Sequence, residues 1–341
     1  MATLLDLRRR VRSVKNIRQI TRAMRMVAAA KLRRTQDRII NSRPFSDKSW
    51  EVMNGLAERT EKRDHPLFRR AEREQHVTVL VLTSDKGMCG SFNTNILRRA
   101  DTALHSWQDQ GVQLALVGRK GYNNYRKKDW TIGQYWVDYL DSVTFINAAV
   151  VADYLIEEFT SERTDAVYVI YNEFKSVMRQ QVVVEPLLPI VGLRFPEDKV
   201  TAREAARFVA EQQTGGSVQV LEGFEGIAGN IGTLSSIWSE GKQAAAEAAS
   251  LEPVELVDYL YDPNPETILS TIMPGHVRVQ VFRAMLESIA AEHAARMTAM
   301  DNASRNADDL IDDLTLTMNK IRQEEITTEI LEVVGGAEAQ K

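Results

Sequence analysis

The chain has 341 residues, 44% of them apolar and 26% charged, with a formal net charge of −4. That composition can bury a core, the length admits two domains or one with long extensions, and no apolar run approaches the ~18 residues of a membrane-spanning helix. Cys89 is the single cysteine, which excludes an intrachain disulfide, and the N-terminal segment lacks an apolar signal core and Ser-rich transit character, the pattern of a bacterial cytoplasmic chain.

Residues 1–60 are expected to form one long helix, with Pro44 their only proline and Gly55 the first glycine. Apolar side chains at Leu7, Val11, Val14, Ile17, Ile20, Met24 and Val27 recur at gaps of four and three, a narrow seam close to a heptad repeat. Residues 1–40 carry twelve Lys and Arg against Asp6 and Asp37, so this end of the chain is strongly basic.

Residues 75–190 change texture. The run 76–82 is an apolar strand ending at Thr83-Ser84-Asp85-Lys86-Gly87, followed by an amphipathic helix over about 93–108 and a strand at 112–117. A Gly-bounded helical stretch, a helix near 147–159 and a strand at 166–171 complete the segment. Strand alternating with helix predicts an α/β fold, here a small Rossmann-like domain with a parallel sheet and helices on its faces. Residues 191–258 read as an inserted subdomain: short helical patterns at 201–213 and 243–250 flank a stretch punctuated by Gly215, Gly216, Gly223, Gly226, Gly229 and Gly232.

Residues 259–341 return to helix, with Pro274 and Gly275 the interior breakers between about 266 and 334. Met297, Met300, Ala303, Ala307, Ile311, Leu314, Met318 and Ile321 repeat the three–four spacing, and Asp301, Asp308, Asp309, Asp312, Asp313, Glu324, Glu325, Glu329 and Glu332 make this end acidic. Some sixty helical residues reach about 90 Å, longer than a compact domain of this mass is wide. A lone helix would leave so narrow a stripe in water, and pairing the two terminal seams as an antiparallel coiled coil buries both and joins opposite charges. The alternatives are that each helix packs on a globular core, or that the N-terminal helix is a solvated charged face.

Candidate chemistry is sparse. The loop 84–93 follows a strand where an α/β sheet would bind phosphate, but it lacks both the P-loop spacing and the Gly-x-Gly-x-x-Gly fingerprint. Cys89 has no local histidine partner, and His65, His76, His105, His276 and His293 are scattered without ligand spacing, so neither thiol catalysis nor zinc is expected. Asp308, Asp309, Asp312 and Asp313 lie together on a helix, an arrangement better suited to a solvated or ion-paired face than to a calcium loop. The basic helix lacks aromatics and has an acidic partner, which argues against nucleic acid. No catalytic residue, metal or cofactor is expected.

The segment Lys15-Asn16-Ile17-Arg18-Gln19-Ile20-Thr21-Arg22-Ala23-Met24 resembles the N-terminal signature of ATP synthase γ subunits, and Ser84-Asp85-Lys86-Gly87-Met88-Cys89-Gly90 resembles the loop that opens that family's α/β domain. Tyr171-Asn172-Glu173-Phe174, Leu187-Leu188-Pro189, Glu292-His293-Ala294-Ala295-Arg296-Met297 and Asn319-Lys320-Ile321-Arg322-Gln323-Glu324-Glu325 match in order, through to Gly335-Gly336-Ala337.

The resemblance implies a non-catalytic rotor shaft of an F-type ATP synthase. It implies partners in three α and three β subunits, an ε subunit and the membrane c-ring, and a peripheral place on the cytoplasmic face of a bacterial inner membrane. By position in the matching motifs, Met24 and Arg25, with Arg322, Gln323, Thr327 and Glu329, correspond to the residues that meet the β-subunit levers and sleeve. Residues 333–337 correspond to the shaft tip. Arg25 stands where many relatives carry Lys, and the segment 190–259 exceeds that of ordinary bacterial relatives. The competing functions are a nucleotide-binding α/β enzyme using the loop 84–93, and a coiled-coil adaptor or membrane-surface protein.

Overall fold

The computed structural model describes residues 3–60, 65–71, 73–140, 143–191, 193 and 264–338. Helix α1 spans Leu4–Ala57. Its start is a reciprocal cap: the Thr3 hydroxyl accepts from the Asp6 backbone N–H at 3.3 Å, and the Asp6 carboxylate accepts from the Thr3 N–H at 3.4 Å.

Five strands and three helices follow: β1 (His76–Leu82), α2 (Phe92–Ser106), β2 (Gly111–Val117), α3 (Arg119–Tyr125), β3 (Thr131–Trp136), α4 (Phe145–Thr160), β4 (Ala166–Phe174) and β5 (Gln180–Leu188). The sheet order is β3-β2-β1-β4-β5; the first four strands run parallel, and β5 pairs antiparallel with β4. Two strands therefore add to those expected from the sequence, and both are edges. Short Thr131–Trp136 contains Gly133, and Gln180–Leu188 contains Pro186, features that weaken a strand signal and are tolerated at an edge.

The sheet is buried on both faces, as parallel sheets are. Val77, Val79 and Val81 of β1 join Leu114 and Leu116 of β2 in a core with Phe92, Ile96 and Leu104 of α2. Leu80 and Leu82 are equally buried on the alternate side of the strand, and α4 packs along β4 through a face that includes Ala152, Leu155 and Phe159.

The last helix, α5, covers Pro265–Glu338. Asn264 caps it by accepting from the Thr267 N–H at 2.8 Å, and Pro265 occupies the first helical position, where no N–H is needed. The helix runs on through Pro274. At about 1.5 Å per residue its 74 residues span about 110 Å. Ala291 of α5 belongs to the core of the α/β sheet, so this helix is built into the domain.

Two compact units divide the chain. One holds residues 1–49, 65–191 and 273–341, with the sheet and most of both long helices. The other holds residues 50–64 and 192–272, where Met53, Leu56, Ala57 and Leu269 are buried among the described residues. The inserted subdomain expected at 191–258, with its helices at 201–213 and 243–250, lies almost wholly outside the described residues.

Gly118, between β2 and α3, has φ +99°, and a Cβ there would lie 1.9 Å from the Thr83 carbonyl oxygen. The close approach follows from Thr83 tying the ends of β1 and β2 together, its N–H on the Val117 carbonyl at 2.8 Å and its hydroxyl accepting from the Gly121 N–H at 2.8 Å. Gly118→Ala is expected to destabilise the domain by about 3 kcal/mol, read as a lower denaturant midpoint with the helical content of the native baseline unchanged.

Candidate functional site: the paired terminal helices

Helices α1 and α5 lie antiparallel, as the charge split and the two seams predict. Arg18 donates to Asp308 at 2.6 Å, Arg22 reaches the other oxygen of Asp308 at 3.0 Å, and Arg25 donates to Asp301 at 2.6 Å. Arg305 holds the second oxygen of Asp301 at 2.6 Å. Between the two ion-pair clusters the hydroxyls of Thr21 and Ser304 meet at 2.8 Å, both residues buried. Arg18 and Arg25 are seven apart, as are Asp301 and Asp308, so the ion pairs repeat with the heptad.

The seam of α1 differs from the one expected. Leu7, Val11 and Val14 do face inward, but the line continues through Arg18 and Thr21 to Ala28, Leu32, Thr35 and Ile39. Ile17, Ile20 and Val27 are more than half exposed, at 51, 59 and 57%. They lie to one side of the inward line, and Met26, also exposed at 62%, lies on another side of the helix. The reason is chemical: where the helices cross, the inward positions are a guanidinium and a hydroxyl with partners across the interface, so apolarity alone selects the neighbouring stripe. On α5 the expected positions Met300, Ala307 and Ile311 are buried, with Ser304 inward where Ala303 was expected.

The sequence-derived contact residues fall in two groups. Met24 is half-buried, and Arg25 is exposed beside its ion pair with Asp301. Arg322, Gln323, Thr327 and Glu329 are all exposed on α5, with the Thr327 hydroxyl turned back to the Gln323 carbonyl at 2.8 Å. The register set by Arg18–Asp308 and Arg25–Asp301 brings Ile321 opposite the first turn of α1. Beyond it α5 has no α1 residue to lie against, and Ile326, Ile330 and Leu331 are exposed there. The structure thus separates the two groups: one flanks the helix pair, and the other sits on an unpaired helical end.

The loop after β1, where an α/β sheet could bind phosphate, is closed. Asn93 accepts from the Ser84 N–H at 3.0 Å and donates to the Ser84 hydroxyl at 2.7 Å, and that hydroxyl meets the Lys86 carbonyl at 2.6 Å. Helix α5 lies on top: Arg296, paired with buried Glu292 at 2.6 Å, donates to the Gly87 carbonyl at 3.2 Å. A Cβ on Gly90 would be 3.7 Å from that of Ala299. Burial pushes the Cys89 thiol above its ordinary range, with Glu292 adding to the effect, so this cysteine is shielded and unreactive. Among the described residues no cluster of His, Cys, Asp or Glu is arranged to hold a metal, and no helix is long and apolar enough to cross a membrane.

Hydrogen bonding from Arg25, then the charges of Arg305 and Arg25, holds the Asp301 carboxyl below its ordinary 3.8, and Arg18 and Arg22 do the same to Asp308. A carboxylate with a depressed folded-state value contributes stability above its unfolded value and loses it as pH falls through the folded one. The helix pair is therefore expected to weaken below about pH 4. Circular dichroism melts between pH 5 and 2 should show a shallower fall for Asp301→Asn/Asp308→Asn than for the wild type.

The family model described as ATP synthase matches residues 3–340. The ATP synthase gamma chain of Trichlorobacter lovleyi is 36% identical over 343 residues, covering 100% of both chains. That of Chloroherpeton thalassium is 36% identical, over 99% of this chain and 98% of the relative. Alignments of that extent mean that these relatives carry a segment of comparable length where the insertion was expected. Among solved structures, the chain resembles one from the Euglena gracilis mitochondrial ATP synthase (TM-score 0.59, 19% identity, 99% of this chain and 94% of that one). A central-stalk chain of the Tetrahymena thermophila mitochondrial enzyme gives TM-score 0.50 at 24% identity, covering 84% and 99%. The match of motif, fold and length along the whole molecule places this chain in the ATP synthase gamma-chain family.

Proposed function

We propose that this chain is the central-stalk rotor of an F-type ATP synthase. It transmits ion-driven rotation of a membrane c-ring to nucleotide sites held by three α and three β subunits, with an ε subunit beside it. The observation that carries the reading is the antiparallel α1–α5 pair within a chain matched to the γ family from residue 3 to 340. Two helices joined by a repeating set of ion pairs resist twist better than one, and an asymmetric shaft can favour a different state at each of three chemically equal sites. The difference in its contacts with those states is the coupling free energy between rotation and nucleotide affinity.

In this reading the chain is a non-catalytic subunit without a cofactor, peripheral on the cytoplasmic face of the membrane. Residues 1–60 and 259–341 are the shaft, residues 75–190 the foot, and residues 191–258 an inserted subdomain. Met24 and Arg25 meet a β-subunit lever beside the helix pair, and Arg322, Gln323, Thr327 and Glu329 engage the β-subunit lever loops from the unpaired end. Arg25, Arg322, Gln323, Thr327 and Glu329 are exposed and Met24 is half-buried, which is compatible with both contacts.

Coexpression with the same organism's α and β subunits is expected to give a 3:3:1 assembly whose Mg-ATPase depends on this chain. A chain that stays alone and binds nucleotide or anionic vesicles would instead indicate an enzyme or a membrane-surface adaptor. Arg25→Glu is expected to impair ATP-driven proton pumping more than assembly. Because Arg25 also pairs with Asp301, the charge swap Arg25→Glu/Asp301→Arg separates the roles. It should recover part of the thermal stability of the helix pair, the Arg305–Asp301 pair being lost, without recovering pumping, and recovery of pumping would assign Arg25 to the shaft alone.

A further inference from the structure

Where α5 enters the body, residues 284–294 are buried at every position. A helix covered on all sides is ordinarily apolar all round, yet this stretch carries two carboxylates, Glu287 and Glu292. They are not held alike. Glu292 pairs with Arg296, whose side chain is only 13% exposed, whereas Glu287 pairs with Arg283, whose side chain is 49% exposed. One oxygen of Glu287 accepts from Arg283 Nε at 2.9 Å, while the other, Oε2, is shut off from solvent and has no hydrogen-bond partner among the described residues. Water screens the cation and leaves the anion inside, so this pair offsets little of the cost of burying the charge.

The neighbouring elements add like charge. Glu173 of β4 and Glu185 of β5 both act against an ionised Glu287. Lys175 reaches Glu173 at 3.4 Å, and the Tyr171 hydroxyl donates to Glu185 at 3.1 Å. From α1, Arg33 and Asp37 border the cleft beside Glu287, and their charges offset one another. Burial raises the Glu287 carboxyl above its ordinary 4.5, Arg283 pulls the other way, and Glu173 and Glu185 add to the rise.

We propose that Glu287 is a proton-operated brace at the joint of α5 with the sheet: neutral, it lets α5 seat tightly beside β4 and β5, and ionised, it loosens that seat. A carboxyl whose folded-state value is raised favours the folded state below its unfolded value, and that contribution is lost as pH rises through the folded one. The sign is opposite to that of Asp301 and Asp308, whose carboxyls are held low and whose contribution is lost only in stronger acid. The joint therefore tightens over a pH range in which the ion pairs of the helix pair stay intact. In the rotor reading this joint carries twist between foot and shaft; the titration itself does not depend on that reading.

The test is hydrogen–deuterium exchange of the full-length chain between pH 5 and 8, corrected for the intrinsic exchange rate. Protection of the amides in residues 284–294 and in β5 is expected to rise about tenfold from pH 8 to pH 5. His276, held down to about 4 by burial, stays largely neutral across that range. Glu287→Gln, which keeps an acceptor for Arg283, should hold protection at the acid level at every pH. Glu173→Gln/Glu185→Gln, which removes the repelling charges and leaves Glu287 in place, should move the change to lower pH. Flat protection in the wild type, or a Glu287→Gln chain that keeps the wild-type slope, would overturn the proposal, as would a double variant whose transition stays where it was.

Discussion

Everything in this molecule that bears on function depends on two helices from opposite ends of the chain holding each other in one register. Neither α1 nor α5 has an apolar face broad enough to settle alone in water. Burying the seam residues of one against the other supplies the driving force, while the ion pairs at its rim act mainly on register and direction. Solvent-exposed ion pairs add little net stability. A slip by one turn would part Arg18 from Asp308 and Arg25 from Asp301 together, and would break the Thr21–Ser304 contact between them. The three contacts specify an alignment that hydrophobicity leaves degenerate.

Helix α5 links this interface to the body without a joint. Ala291 is part of the core beneath α2, Arg296 clamps the loop after β1, and Asp301 is already paired with α1. One continuous helix therefore passes from the α/β core into the helix pair within ten residues. A twist applied to the body has no flexible connection in which to dissipate along that path. The same packing closes the crevice where such a sheet usually binds its ligand: the loop that would cradle phosphate is tied internally and covered by α5. The fold serves here as an anchor, an instance of architecture that does not dictate activity.

Much of this was legible in the sequence. Charge split, seam spacing and the β1 run sufficed for the antiparallel pair and the parallel part of the sheet, because each rests on a strong local periodicity. Beyond Val14 the α1 seam was misread at Ile17, Ile20 and Val27, though not at half-buried Met24, since those three are apolar and the true inward residues Arg18 and Thr21 are polar. The heptad spacing of the charges, Arg18 to Arg25 and Asp301 to Asp308, was the signal that could have corrected it. Strands β3 and β5 escaped because edge strands need not be uniformly apolar. The Glu287 cluster was illegible, since its carboxylates come from residues as distant as Glu173, Glu185 and Glu287 and only the tertiary fold assembles them.

The central claim is that this chain turns inside its partners. The direct measurement is single-molecule rotation of an immobilised complex with the same organism's α and β subunits, a bead being attached through Met178→Cys. Met178 is 87% exposed, and Cys89 is buried and does not compete for the label. The account predicts unidirectional, ATP-driven rotation with three pauses per turn, one for each catalytic site. A bead that stays still while the complex hydrolyses ATP at the same rate with and without this chain would contradict it.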